Sequence, residues 1–202
     1  MMYAHYIATR STVHLSNEKG FMIWFTGLSG SGKTTIARIL ETRIRAAGAS
    51  FESLDGDVVR TNLSKGLGFS KEDRDTNIRR IGYVGHLLQR NGVGVCCSAI
   101  SPYRATRADV REMVGEDFIE VFADCPLEIC ATRDGKVEMY AKAMRGELKE
   151  FTGVSDPYEA PEKPELHLKT HEETPEQSAD KVMRFLVERG YVAAEALVAG
   201  AR

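Results

Sequence analysis

A short apolar run that leads into a glycine-rich loop constrains the fold of this chain more than any other feature. Residues 21–26 form the run, and the sequence GLSGSGKTT, residues 27–35, follows it directly. Beyond the loop, apolar residues recur at helical spacing until Gly48, and glycine commonly ends a helix. The order of buried strand, loop and helix predicts a phosphate-binding P-loop unit.

The loop matches the pattern G-x-x-x-x-G-K-[ST], in which glycines let backbone amides curve around a phosphate. Lys33 is expected to reach the β- and γ-phosphates, and the Thr34 hydroxyl is expected to ligate Mg²⁺. The pattern indicates a nucleoside triphosphate, but it does not separate a kinase from a GTPase or an ATP-driven machine. The alternative, a glycine turn that caps a helix and binds nothing, fits this ordered context poorly.

Strand and helix patterns alternate along the rest of the chain. Strands are predicted at 50–54, 93–100, 118–123 and 166–169, and helices at 71–89, 107–114, 127–133, 138–144 and 175–189. Strands this apolar need cover on both faces, so we predict an α/β fold with a parallel sheet between helices. The loops after the strands should then meet at one edge. We divide the chain into an extension (1–20), one domain (21–192) and a tail (193–202).

Composition narrows the classes of function. The 202 residues carry a formal net charge of −2, so no overall basic field recruits nucleic acid. No apolar run is long enough to cross a membrane and the N-terminus lacks the apolar centre of a signal peptide, so we expect a cytoplasmic protein. Four cysteines lack the spacing of a disulfide framework or a zinc site and are predicted to be buried thiols. Cys96 and Cys97 should point to opposite faces of one strand.

Two carboxylates follow the second predicted strand. Asp55 and Asp57 have the chemistry to hold Mg²⁺ through water or to orient a substrate hydroxyl, and Arg60 has the chemistry to pair with an anion. The alternative is an Asp-Gly turn with a capping aspartate, which is very common. Opposite a phosphate loop at the same sheet edge, the functional interpretation is favoured.

The start of the helix predicted at 71–89 carries a second polar group. Ser70 is the expected cap, with Asp73 at the capping-box position, and Phe69 either packs as a staple or offers a ring for stacking. Arg74 and Asn77 share one helix face and suit a nucleotide ligand. The other charged residues nearby are predicted to form a solvated, ion-paired surface: Lys71, Glu72 and Asp75.

Two further loops complete the predicted edge. Ser101 precedes a proline at the end of the third strand, where it either lies near a transferred phosphate or makes a turn hydrogen bond. Arg133 and Lys136 follow the fourth strand and suit a lid that closes over phosphates. The alternative for these two residues is an ordinary charged surface.

Taken in chain order, these stretches resemble the adenylyl-sulfate kinases. The matching segments span roughly residues 21–170 and read GLSGSGKTT, LDGD, LGFSKEDRDTNIRRIG, SAISPYR, FIEVFADCPLEIC and GELKEFTGVSDPYEAPEKPEL. The resemblance implies a P-loop kinase with a five-stranded parallel sheet. It implies transfer of the γ-phosphoryl group of ATP, with Mg²⁺, to the 3′-hydroxyl of adenosine 5′-phosphosulfate (APS) in sulfate assimilation. It also implies a homodimer, and it leaves association with an ATP sulfurylase open.

The resemblance carries over to individual residues. ATP binding is implied for Gly27, Gly30, Ser31, Gly32, Lys33, Thr34, Thr35 and Arg133, and APS binding for Asp57, Arg60, Phe69, Arg74, Asn77, Ile100, Ser101, Lys136 and Phe151. Phe69 and Phe151 would sandwich the adenine, and Thr34 with Asp55 would serve the metal. We expect Lys33, Asp57 and Ser101 to be catalytic, with Asp57 orienting the 3′-hydroxyl. Ser101 matches a position assigned a phosphoserine intermediate in the family, although in-line transfer needs only positioning and charge stabilisation.

The chain departs from the family pattern at three places. Val58 replaces a usual asparagine, Ala99 replaces a usual phenylalanine, and the lid sequence is one residue longer and carries its glycine at Gly135. Two other functions therefore stay open: a kinase for another small alcohol, such as gluconate or a nucleotide, and a weakly catalytic nucleotide-binding module.

Overall fold

The structure is a computed structural model that describes residues 19–197, apart from the side chain of Asp57. Most of the predicted extension (1–20) and the end of the predicted tail (193–202) lie outside these residues. The strands are β1 (Met22–Thr26), β2 (Phe51–Asp55), β3 (Gly94–Ser98), β4 (Phe118–Asp124) and β5 (Leu166–Lys169). The helices are α1 (Lys33–Ala46), α2 (Gly56–Asn62), α3 (Lys71–Gln89), α4 (Arg104–Val114), α5 (Leu127–Thr132), α6 (Val137–Met144) and α7 (Pro175–Glu188). Within residues 19–197, no helix has the length and apolar character needed to cross a membrane.

The five strands form one parallel sheet in the order β2-β3-β1-β4-β5, as the resemblance implied. Strand β1 is central and all five of its residues are buried. Phe25 in β1 pairs with Ser98 in β3 on one side and with Val121 in β4 on the other. Because neighbouring strands end at similar heights, the loops that follow β1, β2, β3 and β4 meet at one edge.

Helices cover both faces of the sheet, so the predicted α/β fold is confirmed. Helices α1 and α7 bury their apolar residues with one face, and α3 and α4 bury theirs with the other. Cys96 lies in the first core and Cys97 in the second, as their adjacent positions predicted. All four cysteines are buried free thiols.

Helix α2 is the element that sequence reasoning missed. The sequence predicts an Asp-Gly turn or a functional loop after β2, but the chain enters a seven-residue helix directly at Gly56. The sequence GDVVRTN contains mostly weak helix formers, so local propensity gives no signal. Packing supplies the reason, since Val59 is buried in the core against α3 and β3.

The start of α3 differs from expectation in two details. Ser70 Oγ accepts a hydrogen bond from the Asp73 amide at 3.2 Å, but the Asp73 carboxylate accepts from the Gly68 amide instead of completing a capping box. The prediction of a solvated Asp75 is wrong. Asp75 is buried, and its carboxylate accepts hydrogen bonds from Lys71 and from the Thr106 hydroxyl of α4.

Candidate active site

A cavity of about 940 Å³ opens at the carboxyl edge of the sheet. It brings together most of the residues that the sequence selected: Gly30, Gly32, Lys33, Thr34, Thr35, Asp55, Arg60, Phe69, Arg74, Asn77, Ile100, Ser101, Arg133, Lys136 and Phe151. Gly27 and Ser31 belong to the same loop but do not line the cavity wall. The backbone of Asp57 lies in the first turn of α2, and its side chain lies outside the described residues.

The loop between β1 and α1 curves back on itself at its glycines. Gly27 adopts a φ of 148°, and a Cβ atom there would lie 2.4 Å from the Ala123 carbonyl oxygen, so only glycine fits. Lys33 is mostly buried, and its ammonium group donates to the carbonyl oxygens of Gly27 at 2.9 Å and Leu28 at 2.7 Å. Lys33 is the first residue of α1, and its ammonium group therefore reaches back to the first residues of the loop.

Three side chains from distant elements fasten the outer carbonyls of the loop. Thr170 Oγ1 donates to Ser31 O at 2.8 Å, and the Tyr140 hydroxyl donates to Ser29 O at 2.8 Å. Arg133 Nη1 donates to Gly30 O at 2.7 Å. With its carbonyls bound on the outside, the loop is a rigid frame at the N-terminus of α1, the arrangement that binds phosphate.

Thr34 and Asp55 meet on the floor of the cavity. Thr34 Oγ1 donates a hydrogen bond of 2.9 Å to Asp55 Oδ2. The two oxygens come from the first turn of α1 and the last residue of β2, the positions that the strand-end argument selected. Hard oxygen ligands of this kind suit Mg²⁺.

Two aromatic rings also line the cavity. Phe69 is 57% exposed, and its ring faces the Arg60 guanidinium at 4.4 Å. Phe151 is half-buried and packs edge-on against Tyr140, with ring centroids 5.0 Å apart. A cavity wall with an exposed ring next to guanidinium groups suits a flat, anionic ligand such as a nucleotide.

Arg74 and Asn77 line the same cavity from α3, and both are buried. Arg74 donates to Phe69 O and Thr152 Oγ1, both at 2.7 Å, and to Glu150 O, so its guanidinium joins the two segments that carry the rings. Asn77 Oδ1 is buried without a hydrogen-bond partner among the described residues. A buried amide oxygen of this kind needs a donor, and a ligand in the cavity is one source.

Ser101 occupies the end of the loop after β3 in an unusual conformation. Its φ is 45°, the left-handed region that residues other than glycine seldom adopt. The residue is buried, and its Oγ accepts a hydrogen bond of 3.1 Å from the Trp24 indole. The serine hydroxyl is therefore already bonded to the core.

A sequence model described as adenylylsulphate kinase matches residues 19–169. This chain belongs to the adenylylsulphate kinase family. It is similar to an adenylyl-sulfate kinase from Picosynechococcus, with 59% identity over 175 residues, 87% of this chain and 98% of that protein.

Two further comparisons place the chain within the adenylylsulphate kinases. The solved structure of the Mycobacterium tuberculosis APS kinase CysC in complex with AMPPNP and APS matches with a TM-score of 0.79 and 42% identity, covering 84% of this chain and 98% of that one. A probable bifunctional SAT/APS kinase 2 from Sorangium cellulosum is 56% identical over 173 residues, 86% of this chain but 29% of that protein.

The departures from the adenylylsulphate kinase pattern lie in and around the cavity. Ala99 lines the wall, where its small side chain leaves more room than phenylalanine would. Gly135 forms a turn with a φ of 72° ahead of α6, and Lys136 still lines the cavity beside the loop. Val58 is 60% exposed on α2 and does not line the cavity.

Several residues of this adenylylsulphate kinase site escaped sequence reasoning. Tyr140 and Thr170 fasten the phosphate loop, and Thr152 and Glu150 anchor Arg74. All four make their contacts across more than 70 positions of sequence, so no local pattern predicts them.

The Cys130 thiol is not a candidate nucleophile. Burial, together with the neighbouring Cys125 thiol, raises the pKa of the Cys130 thiol to about 12. The group is therefore protonated at neutral pH, and a protonated thiol is a poor nucleophile.

Proposed function

We propose that this chain transfers the γ-phosphoryl group of ATP to the 3′-hydroxyl of APS. The observation that carries the proposal is one cavity with two unlike halves. One half is the phosphate loop with Thr34 and Asp55, and the other is the wall with Phe69 and Phe151. Family membership supports the choice of acceptor.

On the donor side, the loop amides and Lys33 would hold the β- and γ-phosphates and neutralise charge that develops during transfer. Arg133, bonded to Gly30 O and Thr170 O, would lie beside the nucleotide. Thr34 and Asp55 fit Mg²⁺. No group of three acidic, histidine or cysteine side chains among the described residues could hold a metal alone, so phosphate oxygens and water would complete its shell. When bound, the ion would supply positive charge to neutralise the phosphates.

On the acceptor side, Phe69 and Phe151 would hold the adenine between them. Asn77 Oδ1 would accept a hydrogen bond from the acceptor, and Arg60 and Lys136 would face its anionic groups. Ile100 and Ser101, in the loop after β3, would lie next to the ribose. Asp57 would orient the 3′-hydroxyl for in-line attack, which is chiefly a matter of position.

We assign Ser101 a positional part in this transfer. Its Oγ accepts a hydrogen bond from the Trp24 indole, which holds the side chain against the core. Direct in-line transfer between the bound nucleotides needs no covalent serine intermediate.

The test is APS-dependent release of ADP with Mg-ATP, confirmed by detection of the 3′-phosphorylated product. A kinase for another small alcohol would instead turn over faster on gluconate or a nucleotide in a substrate panel. A weakly catalytic module would bind ATP normally and release negligible ADP with every acceptor. Each of these two results would replace the proposal.

We further propose a homodimer in the cytoplasm, where the four free thiols stay reduced. Sedimentation of the purified chain would test the dimer, and a monomer at all concentrations would overturn it. We also propose association with an ATP sulfurylase, motivated by the Sorangium relative, whose name describes a bifunctional SAT/APS kinase. Co-purification of a sulfurylase with the tagged chain would test it.

A further inference from the structure

Two residues other than glycine adopt a positive φ in the described part of the chain, Ser101 at 45° and Glu150 at 54°. Both line the same cavity. In both cases a buried arginine donates a hydrogen bond to the carbonyl oxygen of the residue, Arg107 to Ser101 and Arg74 to Glu150. Such backbone conformations persist where the surrounding contacts over-determine them, and they cluster at functional sites.

Arg107 makes three strong contacts although it does not line the cavity. It is 3% exposed, and Nη1 donates to Ser101 O at 2.6 Å while Nη2 donates to Glu159 O at 2.7 Å. Nε donates to the buried Glu120 carboxylate at 2.7 Å, which balances the charge. The planar fork of arginine reaches all three acceptors at once, and a lysine ammonium cannot reproduce that geometry.

These contacts join the turn at Ser101, which lines the cavity, to the segment around Glu159, which does not. The Glu159 amide donates to Pro102 O at 2.8 Å, so the segment around Glu159 and the turn at Ser101 are bonded to each other as well as to Arg107. Ser101 is also bonded to Trp24 and Thr26 of the central strand, and its hydroxyl donates to Ala99 O at 3.5 Å. Loss of Arg107 would therefore remove the guanidinium link between Ser101 and the Glu159 segment and leave the weaker restraint of the bond to Pro102 O.

We infer that Arg107 is a positioning residue for the phosphoryl acceptor. Through the carbonyls of Ser101 and Glu159 it holds the strained turn in the shape that the acceptor binds. The inference rests on the proposed function, and it deepens that function by adding a residue that touches neither substrate. The phosphate loop has its own fastenings at Tyr140, Thr170 and Arg133, so the donor half depends less on Arg107.

The experiment compares Arg107→Lys with Arg111→Lys. Arg111 is the matched control because it pairs with the same Glu120, at 3.5 Å, and with Glu165, but it has no contact with the turn and does not line the cavity. Arg107→Lys should raise the KM for APS by about tenfold or more and leave the KM for ATP within about threefold, because misplacement of a bound reactant is costly. Arg111→Lys should leave both KM values near those of the unsubstituted chain.

Hydrogen exchange of the backbone around residues 99–103 supplies a readout that does not depend on activity. We expect faster exchange in Arg107→Lys than in the unsubstituted chain. Arg111→Lys should exchange at the rate of the unsubstituted chain. Unchanged exchange together with an unchanged KM for APS would overturn the inference. Equal increases in the KM values for APS and ATP, in proportion to a loss of thermal stability, would also overturn it.

Trp24→Phe provides a second variant should Arg107→Lys fail to fold. It keeps an aromatic ring against Phe118 but removes the indole donor to Ser101 Oγ, so it should also raise the KM for APS selectively. No APS-dependent ADP release by the unsubstituted chain would overturn the proposed function. In that case the exchange measurement would still decide whether Arg107 holds the turn.

Discussion

Thr34 Oγ1 donates a 2.9 Å hydrogen bond to Asp55 Oδ2, although the two residues lie 21 positions apart in different elements. The hydroxyl comes from the first turn of α1, and the carboxylate comes from the last residue of β2. The pair therefore joins the P-loop to the end of β2 and places two oxygen atoms of the kind that suits Mg²⁺ side by side.

Asp55→Asn should raise the Mg²⁺ concentration needed for half-maximal turnover by about tenfold or more, because an amide is a weaker ligand and orients Thr34 differently. A magnesium titration of ADP release measures this shift. Glu52→Gln is the matched control, since Glu52 is an exposed acid on the same strand outside the cavity. Equal magnesium requirements in Asp55→Asn and the unsubstituted chain would remove Asp55 from the metal site.

Lys33→Ala should lower kcat on the order of a hundredfold or more, because it removes a charge that stabilises the transition state inside a partly dry site. Steady-state ADP release measures the loss, and ATP binding by calorimetry shows whether the loop still forms. Lys65→Ala, at an exposed lysine between α2 and α3, should be close to neutral. A loss of only a few-fold in Lys33→Ala would mean that the loop binds phosphate without taking part in transfer.

Phe69→Ala should weaken APS binding by about 1–3 kcal/mol if the ring stacks on the adenine. Tyr83→Ala controls for loss of an exposed ring on the same side of the sheet, because Phe69 and Tyr83 are each 57% exposed and Tyr83 lies outside the cavity. Equilibrium binding of APS to both variants gives the comparison. Unchanged affinity for APS in Phe69→Ala would mean that Phe69 only packs against Arg60 and does not stack on the adenine.

Ser101→Ala and Ser101→Gly should both keep kcat within about tenfold of the unsubstituted chain, because in the proposed mechanism the phosphoryl group passes directly between the bound nucleotides. Glycine tolerates the positive φ, so Ser101→Gly separates the loss of the hydroxyl from any effect of backbone strain. Both variants leave the Trp24 indole without its acceptor, which should lower the free energy of unfolding by about 1–3 kcal/mol. Abolished turnover in both variants, with a trapped phosphoenzyme in the unsubstituted chain, would restore the covalent intermediate.

The elements that the sequence predicted well carry their own start and stop signals. Helix α3 has the predicted bounds because Ser70 caps it and an Asn-Gly turn follows it, and β5 also has the predicted bounds. The meeting of the loops was predictable in the same way, since strand ends in a parallel sheet lie at one edge. Asp55 at the end of β2 and Ser101 in the loop after β3 line one cavity, while their roles stay predictions.

The residues that escaped prediction depend on contacts between distant elements. Val59 makes α2 a helix by packing into the core, and Thr106 of α4 turns Asp75 from a surface charge into a buried one. The partners Trp24 and Ser101 are 77 positions apart. Neither periodicity nor local spacing encodes which side chain will cover another, so these contacts require the structure.

The buried Asp75 gives the fold an acid-sensitive contact. Burial alone would raise the pKa of this carboxyl, but hydrogen bonds from Lys71 and Thr106 outweigh burial and lower it from the ordinary value of 3.8. A lowered pKa in the folded state adds stability that is present above about pH 4 and lost as the pH falls through the folded value. The contact should therefore stabilise the protein at neutral pH and weaken in acid.

Asp75→Asn should lower the free energy of unfolding by about 1–3 kcal/mol at pH 7, because a hydrogen-bonded carboxylate is lost, and by less at pH 3. Denaturant unfolding at the two pH values measures the difference. Asp109→Asn, at a half-exposed aspartate paired with Arg79, should cost about 1 kcal/mol or less at pH 7. An equal cost for Asp75→Asn at both pH values would show that the carboxylate charge does not stabilise the junction of α3 and α4.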